Sequence, residues 1–207
     1  MFIVCRSPKG GVGTSVVAAA IAVCRARAGH PTLLVDLAGD QSDLLGVSPP
    51  EFGVGDWLAN GDDAPLDGLW AIETPVASNL SLLSRGQQFD RGRLGVLAAV
   101  MGASQRSVVV DAGLCDDIDW AEGRAEEVVV LRACYLAVRR AGRLPARSRL
   151  VVIEEPGRAL RVSDVSAAVG VPVWHRLTLD PAVARSVDAG LLGARLPRSL
   201  RVLEVAA

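Results

Sequence analysis

Ser7-Pro8-Lys9-Gly10-Gly11-Val12-Gly13-Thr14-Ser15 lies between a short apolar run, Phe2-Ile3-Val4-Cys5, and the helix-forming stretch Val16-Val17-Ala18-Ala19-Ala20-Ile21-Ala22-Val23. The order is a strand, a glycine-rich turn and a helix N-terminus, and that order suits the holding of a phosphate. Gly10, Gly11 and Gly13 let the backbone curl so that successive N–H groups point inward, and the helix end adds partial positive charge. The Ser15 hydroxyl, at the start of the helix, is placed to bind Mg²⁺. Lys9 is the only lysine in the chain, every other basic residue being arginine. Its compact ammonium can approach phosphates where a guanidinium fork does not fit.

The helix is read from about Ser15 to Ala28. Arg25 and Arg27 stand in its last turn and Gly29 lies just beyond, which are stop signals. Thr32-Leu33-Leu34-Val35-Asp36 follows as a second strand, completing a right-handed βαβ unit. Asp36 ends that strand beside the glycine turn, where a carboxylate can hold Mg²⁺-bound water. Ser107-Val108-Val109-Val110-Asp111 repeats the pattern of an apolar strand closed by an acid. Asp40 is read first as the N-cap of a short Gln41–Leu45 helix.

The remaining chain alternates strand and helix. Strands are read at Leu80–Ser84, Glu127–Leu131, Arg149–Ile153 and Val171–His175. Helices are read at Val54–Ala59, Arg91–Gly102 and Ala133–Leu144, then one capped by Ser163 or Asp164, and Ala182–Ala189, started by Asp180-Pro181. Gly61-Asp62-Asp63 reads as a turn. The fold expected is α/β, a mostly parallel central sheet of about seven or eight strands flanked by helices on both faces. With 207 residues, half of them apolar and few aromatic, one domain spanning 1–207 is expected.

A net charge of −1 provides no global field for nucleic acid or anionic membrane, so any such contact is local. The densest basic cluster is Arg139, Arg140, Arg143, Arg147 and Arg149, read as helix-dipole compensation and solvated loop. Trp57 and Trp70 are read as core contacts ahead of interface anchors. Four separated cysteines and two histidines signal neither a disulfide framework nor a zinc site. Reduced thiols and the lack of a long apolar run fit a cytoplasmic protein. In the tail 191–207, Leu192, Leu196, Leu200 and Leu203 recur at helical spacing and read as a docked final helix, ahead of a membrane anchor.

The run from Lys9 to Ser15 resembles the deviant P-loop K-G-G-x-G-K-[ST] of the ParA/MinD family of positioning ATPases. Thr14 stands where that pattern has its second lysine. The resemblance covers nearly the whole chain, and the replaced lysine is similar to the CpaE/TadZ branch, which serves Tad-type pilus assembly. It implies ATP and Mg²⁺ as ligands. Gly10, Gly11, Val12, Gly13, Thr14 and Ser15 would form the cradle, with Ser15, Asp36 and Asp111 toward the metal. It also implies a homodimer in which Lys9 reaches the partner's nucleotide.

The family's switch I reads D-x-D, its second acid aligning the attacking water, and here Asp36 is followed by Leu37-Ala38, with Asp40 two residues on. After Asp111 the family pattern D-x-P-x-G meets Gly113 and Cys115. Where the family carries an adenine-reading Asn, this chain has Glu154-Glu155-Pro156. Without a lysine at 14 or an acid at 38, the β- and γ-phosphate oxygens lose a positive partner and the water loses its aligning group.

The implied function is an ATP-binding positioning or assembly scaffold with weak or absent hydrolysis, acting with pilus secretion or division components and recruited to the inner face of the membrane. The alternatives are an active ATPase for chromosome or plasmid partitioning, which needs DNA contact by the arginine cluster, and a small-molecule ATP-dependent synthetase on the same fold. In the working-ATPase alternative, Asp40 and Lys9 take over the lost roles.

Overall fold

The computed structural model describes residues 1–61 and 65–204. Asp62 and Asp63, read as part of a turn, lie outside the described residues, as do the last three residues of the tail. The strands are β1 Phe2–Ser7, β2 Thr32–Asp36, β3 Thr74–Ala77, β4 Leu80–Leu83, β5 Ser107–Leu114, β6 Glu126–Arg132, β7 Arg149–Glu154 and β8 Val173–Thr178. They form one eight-stranded sheet in the order β3-β4-β2-β5-β1-β6-β7-β8. Every pairing is parallel except β3 with β4 at the edge. The expected α/β architecture is therefore present.

Parallel strands covered on both faces need apolar side chains on both, and β1 is buried at all six positions. Ile3 and Cys5 of β1 face the core formed with α1 (Thr14–Arg27), while Phe2 and Val4 face the opposite core, with α3 (Val54–Ala59), α4 (Leu66–Ala71) and α5 (Leu94–Gly102). Farther along the sheet, Val129 and Leu131 pack with α6 (Tyr135–Ala141) and α7 (Val162–Val169). Helix α1 is apolar all round because its outer side is covered too. Leu192, Leu196, Leu200 and Leu203 are buried in the same core, and the Arg27 guanidinium donates to the carbonyls of Gly193 and Ala194 at 3.1 and 3.0 Å.

Several sequence expectations change. The tail docks as expected, but Arg198–Leu203 is a 3-10 helix, because Pro197 immediately before it breaks a continuous α-helical path from residue 191. Its leucines are buried, and no described helix is long and apolar enough to cross a membrane. Strand β3 and helix α4 were unforeseen. Pro75 disguises β3, yet Pro is tolerated on an edge strand, and Asn79 takes the left-handed φ of 62° in the turn to β4. The helix read at 91–102 begins as a 3-10 turn, Arg91–Arg93, before α5. That read at 133–144 shortens to Tyr135–Ala141, ended by Gly142 at a φ of 58°. Asp164 supports α7 from inside its first turn, accepting the Arg161 N–H at 2.8 Å.

Both expected core tryptophans sit in the α3–α5 layer: Trp57 is buried with its indole N–H on the Pro65 carbonyl at 3.0 Å, and Trp70 is partly buried under the Arg106 guanidinium. Helix α8 (Pro181–Asp188) starts as read, Asp180 accepting from the Ala182 N–H at 2.8 Å.

Candidate functional site

The glycine turn joins β1 to α1 at the C-terminal edge of the sheet. Gly11 and Gly13 take left-handed φ values of 71° and 100°, which L-residues with side chains rarely adopt. Around Gly10 and Gly11 the space is open, with no atom within 4 Å of where a Cβ would stand. Gly13 is the N-cap of α1 and has no side chain to satisfy the first-turn N–H groups. Those groups face a cleft of about 770 Å³, lined by Lys9, Gly10, Ser15, Asp40 and Arg85 among others. Lys9 is partly exposed, its ammonium donating to the Gly10 carbonyl at 3.2 Å. The side chain of Val12 instead packs into the core at 1% exposure, and that of Thr14 is also buried.

Asp36 and Asp111 end up side by side because β2 and β5 are neighbours with these residues in register. Both are buried. Asp36 accepts backbone N–H bonds from Ala38, Gly39 and Gln41 at 3.0, 2.6 and 3.0 Å, so it pins the loop that follows it. Burial nevertheless pushes its pKa up, outweighing those amides. Asp111 accepts from the Gln41 side-chain amide at 2.7 Å and from the Gly113 N–H at 3.0 Å. Burial pushes its pKa up to about 6; the hydrogen bonds from Gln41 and Ser15 oppose this, and the nearby Asp36 charge adds to it.

The folded protein therefore holds the Asp111 proton more tightly than the unfolded chain does. For this group, raising the pH from the ordinary carboxylate range to about 6 costs stability, and above that the cost stays constant. A bound cation would offset it. Beside Asp111 in β1, Cys5 is a thiol pushed well up by burial and then by the Asp111 charge, and it is inert.

Asp40 occupies the N-cap position of α2 (Gln41–Leu45), but its side chain makes no capping bond. Its carboxylate points instead to the Ser15 hydroxyl at 3.3 Å. The capping expectation is thus corrected, because the adjacent Ser15 hydroxyl competes for the carboxylate. The structure brings Ser15, Asp40, Asp36 and Asp111 to one end of the sheet. Among the described residues no cluster of three His, Cys, Asp or Glu is arranged to hold a metal ion. A Mg²⁺ ion here would need ligands from a bound phosphate as well as from Ser15.

Two residues of this site escaped the sequence reading. Gln41 is fully buried, and its amide NH₂ faces two acceptors, the Asp111 carboxylate and the Ser15 carbonyl at 2.9 Å. Those acceptors fix the orientation of the amide and leave its oxygen buried without a hydrogen-bond donor. The other is Arg85, just beyond β4, which reaches into the cleft and donates to the Ala38 carbonyl at 3.0 Å.

A second, largely apolar pocket of about 620 Å³ adjoins the cleft, with Gly13 and Val16 on their shared wall. Ile153, Leu177, Pro181 and Val183 line it. In the arginine cluster, Arg147 pairs with Glu122 at 2.7 Å and Arg149 with Glu126 at 2.6 Å, while Arg149 also stacks on Trp174. Arg139, Arg140 and Arg143 are exposed, with no ion pair among the described residues, so only part of the cluster is neutralised.

No protein-family model and no curated protein matches the chain. Solved structures do. A ParA family ATPase from Chlorobium tepidum TLS superposes with a TM-score of 0.77 at 19% identity, covering 98% of this chain and 95% of that one. The MinC:MinD cell division protein complex of Aquifex aeolicus gives a TM-score of 0.74 at 19% identity, with 97% and 91% covered. The septum site-determining protein MinD of Pyrococcus horikoshii OT3, complexed with Mg-ADP, gives 0.73 at 18% identity, with 98% and 94% covered. Along nearly its whole length, this chain has the fold of the ParA and MinD ATPases.

Proposed function

We propose that the chain is an ATP- and Mg²⁺-binding scaffold of the ParA/MinD kind, with hydrolysis weak or absent, that dimerises and positions a partner machine. The observation that carries this is the open, left-handed glycine turn on the N-terminus of α1, facing a cleft beside the paired acids Asp36 and Asp111. The turn from Gly10 to Ser15 would cradle the phosphates through its backbone amides. Ser15 would touch Mg²⁺ directly, and Asp36 and Asp111 would act through metal-bound water. The adjoining apolar pocket has the character of a base site. Lys9, partly exposed at the rim, would serve a nucleotide held by a second copy.

Weak hydrolysis follows from Thr14 and Ala38, which leave the reacting phosphate without the usual lysine and the water without an acid. The replaced lysine favours the CpaE/TadZ branch, with pilus secretion components as partners and recruitment to the inner membrane face by them. Division machinery is the other partner class, in keeping with the solved complex of a MinD with MinC.

A working ATPase is the second reading, and the contact between Ser15 and Asp40 favours it, because that contact brings a carboxylate to the metal side of the cleft. Phosphate release at saturating Mg-ATP separates the two. The scaffold reading expects a rate indistinguishable from that of Lys9→Ala. Turnover that disappears in both Lys9→Ala and Asp40→Ala would establish the ATPase instead.

A further inference from the structure

The segment 84–88 is tied to the start of α3 by several hydrogen bonds. The buried Asp56 carboxylate accepts the backbone N–H groups of Gly53, Gln87 and Gln88 at 2.8, 3.1 and 2.9 Å. The N–H groups of Val54 and Gly55 donate to the carbonyls of Ser84 and Arg85, both at 2.8 Å. These bonds cap the N-terminus of α3, whose first N–H groups they satisfy, and in doing so tie that helix end to the turn at 84–88. Their common effect is to fix the backbone that carries Arg85.

The side chain is fixed as well. Its guanidinium lies 5.1 Å from the centre of the Phe89 ring and donates one N–H to the Ala38 carbonyl. Its stem runs along Gly39, close enough that a Cβ there would stand 3.6 Å from the Arg85 Cδ. A guanidinium has five N–H donors and no acceptor, so most of its donors are left for the cleft that it lines. Among the described residues, Arg85 has no carboxylate within ion-pair distance. A cation held at its backbone, stem and head, lining the same cleft as the glycine turn with no carboxylate in ion-pair contact, is a preorganised anion site.

We propose that Arg85 binds the polyphosphate of the nucleotide and supplies the positive charge that position 14 lacks. The proposal rests on the nucleotide-binding reading and adds to it the residue that would compensate for Thr14. Arg85 contacts the loop at Ala38 and Gly39, between the two carboxylates Asp36 and Asp40, so it reaches the phosphates from across the cleft rather than from the glycine turn. A planar fork suits two phosphate oxygens at once, as a lysine does not.

The test is calorimetric titration of the unmodified protein, Arg85→Ala and Arg85→Lys with a non-hydrolysable ATP analogue and with AMP, at two salt concentrations. Arg85→Ala is expected to weaken the analogue at least about tenfold, the scale of a lost charge-assisted contact. It should also flatten the salt dependence and leave AMP within about twofold, and Arg85→Lys should recover part of the affinity. An analogue affinity within about twofold of the unmodified protein in Arg85→Ala overturns the assignment while leaving the nucleotide reading intact. Equal loss for AMP and the analogue also overturns it, because a misplaced loop and not a lost phosphate contact would then be the cause. Failure of the unmodified protein to bind the analogue overturns both readings together.

Discussion

Arg6→Ala is expected to lower the unfolding free energy by about 3–5 kcal/mol, the scale for removing one partner of a buried ion pair. Arg6 and Glu127 are each 4% exposed, and the guanidinium Nε donates to the carboxylate at 2.6 Å. Ser148 donates its hydroxyl to the other oxygen of Glu127. In Arg6→Ala the Glu127 charge stays buried with only a serine for company. The pair also bears on the site, since Arg6 precedes the glycine turn and its Nη1 donates to the Cys115 carbonyl at 3.3 Å, tying β1 to the loop after β5. Arg6→Met combined with Glu127→Leu removes both charges and should recover most of the loss. Urea denaturation of the unmodified protein and the two variants measures this. A loss below about 1 kcal/mol in Arg6→Ala would mean that water reaches the pair.

Gly55→Ala is expected to cost about 3 kcal/mol, near the upper end for overpacking, since the neighbours that it meets are backbone and cannot rotate away. A Cβ at Gly55 would stand 2.0 Å from the Gln88 carbonyl oxygen and 2.8 Å from that of Arg85. Helix α3 would be driven off the segment that holds Arg85, so weaker nucleotide binding should accompany the lost stability. Gly95→Ala is the control. Gly95 lies exposed in α5 with nothing within 4 Å of an added Cβ, and alanine there should stabilise by about 0.5–1 kcal/mol. Denaturation midpoints that do not separate the two variants would show that α3 packs more loosely than its hydrogen bonds imply.

Local chemistry made much of the fold legible. The glycine turn, the apolar strands closed by Asp36 and Asp111, and Asp180-Pro181 at the start of α8 each declare themselves within a few residues. Strand β3 did not, because Pro75 argues against a strand and only the edge position makes it tolerable. The tail leucines were legible as a buried face, but not the 3-10 geometry that Pro197 imposes.

The site was legible where one segment makes it and illegible where several do. Gly10 to Ser15 could be read directly. Gln41 acquires its place only because β2 and β5 are adjacent, which brings its amide to a carboxylate seventy positions along the chain. Arg85 lies just past a strand with nothing local to mark it, and its placement depends on Asp56, which gathers three amides from two segments. Asp40 shows the reverse case. Its local role as an N-cap was a sound expectation, and a hydroxyl 25 positions away displaced it.

The central claim is that this glycine turn still holds a nucleotide although Thr14 replaces the lysine. Calorimetric titration of the unmodified protein with ATP, ADP and a non-hydrolysable ATP analogue, with and without Mg²⁺ and with light scattering to follow mass, tests it most directly. Saturable, Mg²⁺-dependent binding with a shift to the mass of a dimer is the predicted result. No binding at millimolar nucleotide would contradict the account and leave the turn a structural remnant.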